Sequence, residues 1–289
     1  MARRGNRWAG RVAATLALAG VLLAPAKLQA EAPVGVPVGV AVAPGALAAP
    51  AELDYQVYFG GLKALALAAE IDLSSARYRV RLSAHTEGLI DWIVDWTAQS
   101  ASEGLVAGGA LQPVRHNTVS TVRGNRRDTT LAFHRDGSID ASVEPPIEAD
   151  DREPVSAEQV HGALDPISAV LIAAHEVAAH GSCDQRVKVF DGRRRYDLEF
   201  RDGGPDTVQP SEYSSFSGAA TLCLFRYIRI AGYEKPGGRW GNPYDADRIY
   251  RVWLAPIVPG LPPLPVRIEA EGTFGNLIVH LVEAGKHAG

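Results

Sequence analysis

His175 and His180 flank a glutamate in His175-Glu176-Val177-Ala178-Ala179-His180, the residue types of a zinc-hydrolase helix. Such a site needs two imidazoles four positions apart on one helix face, with the Glu as general base. Here the spacing is five, which turns the second imidazole about 140° from the first on a helix of 3.6 residues per turn. Two partly exposed imidazoles near a helix end are expected, and no metal. Asp91 and Asp95 form a second pair, in Asp91-Trp92-Ile93-Val94-Asp95-Trp96. Read as a strand over residues 92–103, this stretch puts both Trp on one face and both Asp on the other. Paired carboxylates can do acid–base chemistry, but at strand rise these two lie about 13 Å apart, too far to share one glycosidic bond. A Gly-x-Ser-x-Gly elbow is absent. Gly60-Gly61 and Gly237-Gly238 lack the helix and Lys of a phosphate loop. No catalytic residue and no cofactor is expected.

Binding residues are easier to nominate. Trp92, Trp96, Tyr196, Leu224 and Trp253, with Leu65, Leu67 and Val80, are candidates to line a surface for an apolar or amphipathic ligand. Tyr227, Trp240, Tyr244 and Tyr250 add to the aromatic content. The one basic concentration is Arg193, Arg194 and Arg195, with Arg186, Arg226, Arg229 and Arg267 on neighbouring predicted strands. It could meet an anion or an envelope partner. The favoured reading is an outward strand face paired to Asp184, Asp191, Asp197, Glu199 and Glu269, since opposite charges commonly face each other across strands. Cys183 and Cys223 are the only cysteines. In an exported chain an even count suggests one disulfide; two free buried thiols are the alternative.

The elements that must position these residues read mostly as strands. In LDYQVYF, Leu53, Tyr55, Val57 and Phe59 alternate. In LKALALAAEIDL, Leu65, Leu67, Ala69, Ile71 and Leu73 do the same. In RYRVRLSAH, Tyr78, Val80 and Leu82 oppose three arginines. That is the period of half-buried antiparallel strands. Further strands are expected over 115–122, 128–134 and 138–143, with turns at Gly124-Asn125 and Asp136-Gly137, the latter of type I′. One helix is clear. Asp165 caps it, Pro166 opens it and Gly181 ends it, with Ile167, Val170, Leu171, Ala174 and Val177 as its apolar stripe. SAEQVHGAL before it suits a shorter helical turn. QRVKVF and RRRYDLEF flank Asp191-Gly192 as a hairpin, and AATLCLFRYIRI, RIYRVWLAP, PVRIEAE and NLIVHLVE follow as strands. The fold class is mainly β: a single curved antiparallel sheet or open half-barrel with one or two helices packed against it.

Composition agrees: 46% hydrophobic and 21% charged residues exclude both a polytopic membrane protein and a disordered chain. Arg3, Arg4, Arg7 and Arg11 precede an uncharged apolar run over residues 12–24, which Pro25 breaks. This is the layout of a signal peptide over residues 1–30, cleaved after Ala30 or Ala26. An uncleaved inner-membrane anchor is the alternative, although the run is shorter than the roughly 20 residues a span needs. Residues 31–51, rich in Pro, Gly, Ala and Val, read as a linker, and residues 52–285 as one β-rich domain. Removing residues 1–30 takes away five cations and no anion. That leaves 24 Lys and Arg against 33 Asp and Glu, a net charge of −9. Such a chain is no general nucleic-acid binder.

Four stretches carry a family resemblance: LDYQVYFGGLKALALAAEIDL, LDPISAVLIA, CDQRVKVFDGRRRYDLEF and YRVWLAPIVPGLPPLPVRIEAEGTFGNLIVHL, spanning most of residues 53–282. They resemble the DUF3108 family of exported bacterial proteins. The most specific piece is the Cys183 hairpin with FDGRRRYDL, followed by a second Cys on a later strand. The family has no established activity. The resemblance implies a periplasmic or envelope location and a curved sheet similar to the half-barrels of lipoprotein carriers, with a helix against the concave face. One departure is that Leu65-Ala66-Leu67 continues where relatives often carry a second Gly after the first hairpin turn. The leading expectation is a non-enzymatic periplasmic protein that binds an apolar or amphipathic ligand, such as a lipid, in the concave face. The alternative is a structural protein contacting an envelope partner through edge strands and the Arg face.

Overall fold

The computed structural model describes residues 49–107, 110–146, 152–233, 248–272 and 275–286. The signal-peptide reading, nearly all of the linker, and Gly237, Gly238, Trp240 and Tyr244 lie outside them. Seven strands follow one another as antiparallel neighbours: β1 (Ala51–Phe59), β2 (Leu62–Leu73), β3 (Arg77–Thr86), β4 (Trp96–Ala107), β5 (Ala110–Val122), β6 (Asn125–Phe133) and β7 (Ile139–Glu144). Six more do the same: β8 (Gln185–Phe190), β9 (Arg195–Val208), β10 (Gly218–Ala231), β11 (Tyr250–Ala255), β12 (Leu264–Ala270) and β13 (Leu277–Lys286). β13 pairs with β1, so all thirteen form one sheet with β7 and β8 at its edges. The sheet is open, mainly β and antiparallel throughout, as the sequence implies.

Helices α1 (Gly88–Val94), α2 (Ala157–Val160) and α3 (Pro166–His180) complete the described elements. α2 and α3 lie in the connection between the two edge strands. Bulges at Asp54/Tyr55, Glu103/Gly104, Leu222/Cys223 and Trp253/Leu254 bend the strands, and such bends curl a sheet. Curling places α3 on the inner face. Ile167 and Leu171 join Leu53, Tyr55, Ile71, Leu73, Tyr78 and Val80 in one buried cluster. Ala169 and Ala173 meet Val187, Val189, Tyr196 and Leu198 in a second, and Val177 meets Cys183, Cys223, Val252 and Leu254 in a third. Small residues let the helix sit close to β8 and β9. Val170, expected in the stripe, is 46% exposed.

Three local readings change. Residues 92–94, expected to open a strand, end a helix instead: Gly88 turns the chain at φ 60°, and Asp95, left-handed at φ 42°, ends α1 by donating its N–H to Asp91 O. β4 therefore starts at Trp96. The β5–β6 turn centres on Arg123 and Gly124, both at positive φ, and Asn125 already belongs to β6. At Asp136-Gly137 only Gly137 has positive φ, and His134 N–H bonds Ser138 O across a wider loop than type I′.

The two sheet edges come together without pairing. Leu164 runs beside β8, exchanging backbone bonds with Lys188 and Phe190, while Gly162 N–H bonds Gly137 O next to β7. Phe190 packs with Leu131, Val160 and Ala163. The β8–β9 turn lies on the inner face of β6 and β7: a Cβ at Gly192 would overlap the Thr129 methyl and reach Val143 Cγ2 at 3.5 Å.

Candidate functional site

The concave face beneath α3 holds a polar cluster. Asp165, fully buried, caps α3 by accepting from Ile167 N–H at 3.0 Å and Ser168 N–H at 2.9 Å. The same Oδ1 accepts from Ser102 Oγ at 2.6 Å and lies 3.3 Å from His116 Nδ1. Ser102 Oγ is 2.8 Å from His116 Nδ1, and His116 Nε2 is 3.0 Å from Thr118 Oγ1. The Tyr78 ring crosses Gly104, where a Cβ would collide with it, and its hydroxyl reaches Ser168 Oγ at 2.8 Å. Burial pushes the Asp165 carboxyl up, but His116, Ser102 and Ser168 together outweigh it and hold it below the ordinary carboxylate range. Burial raises the Tyr78 phenol well above its usual value.

Ser, His and Asp together suggest a hydrolytic triad, but the order is wrong. In a triad the imidazole stands between hydroxyl and carboxylate; here Ser102 touches both and gives its proton to Asp165. Ser102 and Asp165 are also sealed at 0% exposure, and His116 at 3%. The cluster fastens the start of α3 to β4 and β5. Sequence reading missed Ser102, His116, Thr118, Tyr78 and Ser168 as a group and read Asp165 only as a cap. Ser102 faces His116 across β4 and β5, a pairing visible only once the register is known.

Of the nominated lining residues, Leu67, Val80 and Trp253 meet in the buried cluster under α3, and the others disperse. Trp92 stands 94% exposed on α1, because the helix rotates it away from the sheet. Trp96 is half-buried at the start of β4, with the parity of Ser100 and Ser102. Tyr196 is core, its ring 5.3 Å from that of Tyr227. Leu67 and Val80 pack into the α3 cluster, and Leu65 shares their face opposite Val57. Leu224 lies opposite Arg251 on the face of Arg226, whereas Cys223 and Phe225 turn towards α3. Trp253, 8% exposed, is enclosed by Leu222, by Asp206, which accepts its indole N–H at 2.8 Å, and by Arg267 over its ring at 5.5 Å.

The arginines are mostly paired. Arg194 meets Asp191 at 2.8 Å, Arg186 meets Asp197 at 2.6 Å, Arg226 meets Glu199 at 2.7 Å, and Arg267 Nε meets Glu269 at 2.7 Å. Arg195 pairs with Asp197 and donates to Gln159 O, so it is buried under the α2 segment and not displayed outward. Arg229 covers the Tyr233 ring at 4.0 Å. Arg193 has no such ion pair among the described residues. Cys183 and Cys223 form a disulfide with Cα atoms 5.7 Å apart, which fastens the end of α3 to β10. His180 turns Nδ1 to Glu176 Oε2 at 3.1 Å. Among the described residues no group of three His, Cys, Asp or Glu could hold a metal. No helix among them is long and apolar enough to cross a membrane.

Where α3 does not cover the concave face, a mouth remains. Its volume is about 690 Å³, and Ile139 and Ala141 of β7, Val155, Val160 of α2 and Phe190 of β8 line it, with His161 at the rim. By contrast, a depression of about 550 Å³ on the outward face lies among Glu52, Glu70, Arg81, Gln99 and Asn117. The apolar mouth at the seam is the better candidate for a binding site.

A rolled, open antiparallel sheet with a helix inside it defines a β-barrel-like protein. The model of the family described as protein of unknown function (DUF3108) matches residues 54–282, and the chain belongs to that family. No curated protein matches the sequence. Among solved structures, the chain is similar to a β-barrel-like protein of domain of unknown function DUF1849 from Brucella abortus. The identity is 11% and the TM-score 0.50, over 83% of this chain and 99% of that one. A hypothetical protein, CT021, from Chlamydia trachomatis matches at 10% identity and TM-score 0.29, over 82% and 88%. At 11% identity the likeness to the Brucella abortus protein is one of fold, and function must be argued from the site.

Proposed function

We propose that this is a non-enzymatic, exported protein of the cell envelope that holds an apolar or amphipathic ligand in the seam mouth between β7, α2 and β8. The observation that carries the reading is the apolar lining of Ile139, Ala141, Val155, Val160 and Phe190 on concave surface that α3 leaves uncovered. The sealed Ser102 and His116 support a non-enzymatic role, because no substrate reaches them. Export rests on the basic and then apolar start of the sequence. The pairing of Arg194, Arg195, Arg226 and Arg267 with acidic neighbours weighs against a broad Arg face for an envelope partner.

The test is native mass spectrometry of the chain recovered from the periplasm of an expressing bacterium. The expected spectrum shows a chain beginning at Lys27 or Glu31, with extra mass that leaves on denaturation. Ala141→Trp, which fills the mouth, should arrive without that mass. A bare wild-type protein overturns ligand binding, and a full-length chain held in the membrane fraction overturns export as a cleaved protein.

A further inference from the structure

Arg127 lies on β6 two positions before Thr129, so both side chains share the inner face. The β8–β9 turn rests on that face at Thr129. Asp191 shapes the turn by accepting from the backbone N–H groups of Arg193 and Arg194, and its other oxygen takes Arg194 Nε at 2.9 Å. Asp191 is thereby engaged with its own turn, in which Arg193 follows Gly192. Arg152, donating Nη1 to Gly232 O at 3.2 Å, flanks the same turn; a Cβ at Gly232 would overlap the Arg193 carbonyl. Three arginines from three separate stretches thus converge at one end of the seam, near enough for Arg127 and Arg152 to act electrostatically on Arg193. The Nε atoms of Arg127 and Arg193 are both buried without a hydrogen-bond partner. Burial first, and then Arg127, Arg152 and Arg194, push the Arg193 guanidinium down to about 10, with Asp191 opposing.

A guanidinium nitrogen buried without an acceptor costs free energy, and two like charges held together add to it. Arginine's planar fork of donors matches an oxyanion. We propose that Arg127 and Arg193, flanked by Arg152, form a binding site for a phosphoryl oxyanion. A phosphate monoester, which carries up to two negative charges, balances two cations better than a single carboxylate does. None of the three arginines lines the apolar mouth, but Phe190, which does, directly precedes the β8–β9 turn, so the site can take a phosphoryl group that is free or one that belongs to an amphiphile in the mouth.

The experiment measures binding of inorganic phosphate and of a short-chain phosphatidate to the full chain by calorimetry, with thermal unfolding in phosphate and in chloride of equal ionic strength. The wild type should bind and unfold at higher temperature in phosphate. Arg193→Gln and Arg127→Gln should each weaken binding about tenfold or more. In phosphate-free buffer each should be at least as stable as the wild type, because one of two crowded cations is gone. Arg226→Gln, which breaks only the outward pair with Glu199, should bind as the wild type does. If phosphatidate binds more tightly than phosphate and Ala141→Trp removes only that gain, the phosphoryl group belongs to the ligand of the mouth. Equal binding of both assigns the site to free phosphate. Absence of phosphate binding to the wild type, or variants that lose stability in phosphate-free buffer, overturns the proposal without touching the test of the mouth.

Discussion

Asp165 shows how much one carboxylate can organise. It caps α3, accepts from Ser102 and faces His116, all with no exposure to solvent. Its depressed pKa makes it a stability group with a definite sign. The folded state holds the proton less readily than the unfolded chain does, so the contribution is complete above the ordinary carboxylate range. It is lost as pH falls through the folded value. Asp165→Asn keeps an oxygen for the cap but removes the charge facing His116. We expect the variant to be less stable at neutral pH by about 3 kcal/mol, the lower end for breaking a buried charged contact. Its unfolding midpoint in urea should also depend less steeply on pH between neutrality and pH 3 than the wild type's. Parallel profiles would mean that Asp165 does not carry the charge. The sequence displays Asp165 as a cap because that role is local. The approach of Ser102 and His116 is set by the pairing of β4 with β5 and by the curl of the sheet, which no short window of residues contains.

At the scale of elements, α3 is the internal strut, and both of its ends are fastened. The Asp165 cluster holds the start against β4 and β5, and the disulfide holds the end against β10. Reducing Cys183 and Cys223 lengthens the unconstrained unfolded chain between them. On the chain-entropy model this should lower stability by roughly 4 kcal/mol, measured as the change in unfolding free energy extrapolated to zero denaturant with and without reductant. No shift would place the helix end's stability in the packing of Val177, Val252 and Leu254 alone. The helix was legible because Asp165, Pro166 and Gly181 are local stop and start signals, and the strands because alternation is local too. Residues 88–94 were not: Trp92 and Trp96, four apart, fit either a strand face or a helix face, and the positive φ of Gly88 and Asp95 settles the matter. Leu224 was misjudged because AATLCLFRYIRI is apolar at both parities. Only contact of Cys223 and Phe225 with the α3 side reveals which parity turns inward.

For the whole molecule, strand order and chain order differ by a single cut. Read from β8, the sheet runs β8 to β13, then β1 to β7, each strand antiparallel to the next. The ends of β13 and β1 stand side by side, Lys286 opposite Ala51. The described part of the chain is thus a thirteen-strand meander closed on one side by the α2–α3 connection between β7 and β8. A permuted chain that starts at Arg152, joins Lys286 to Ala51 by a short Gly-rich linker and ends at Pro146 would make every strand pairing a local hairpin. It retains the disulfide, α3 and the Asp165 cluster, and β1 becomes the neighbour of β13 in sequence as well as in space. Local pairing lowers the entropy of loop closure before contacts form. The permuted chain should therefore fold to the same sheet, with the same far-ultraviolet spectrum and one cooperative unfolding transition. It should refold faster than the natural order if β1–β13 pairing limits the rate. The seam bears the cost, because Phe190 and Gly192 must then find β6 and β7 without the tether. Amide exchange should accordingly rise at β7 and β8 and stay unchanged at β1 and β13. Uniformly faster exchange, or loss of the cooperative transition, would show that the α2–α3 tether holds the roll together and that sheet pairing alone does not.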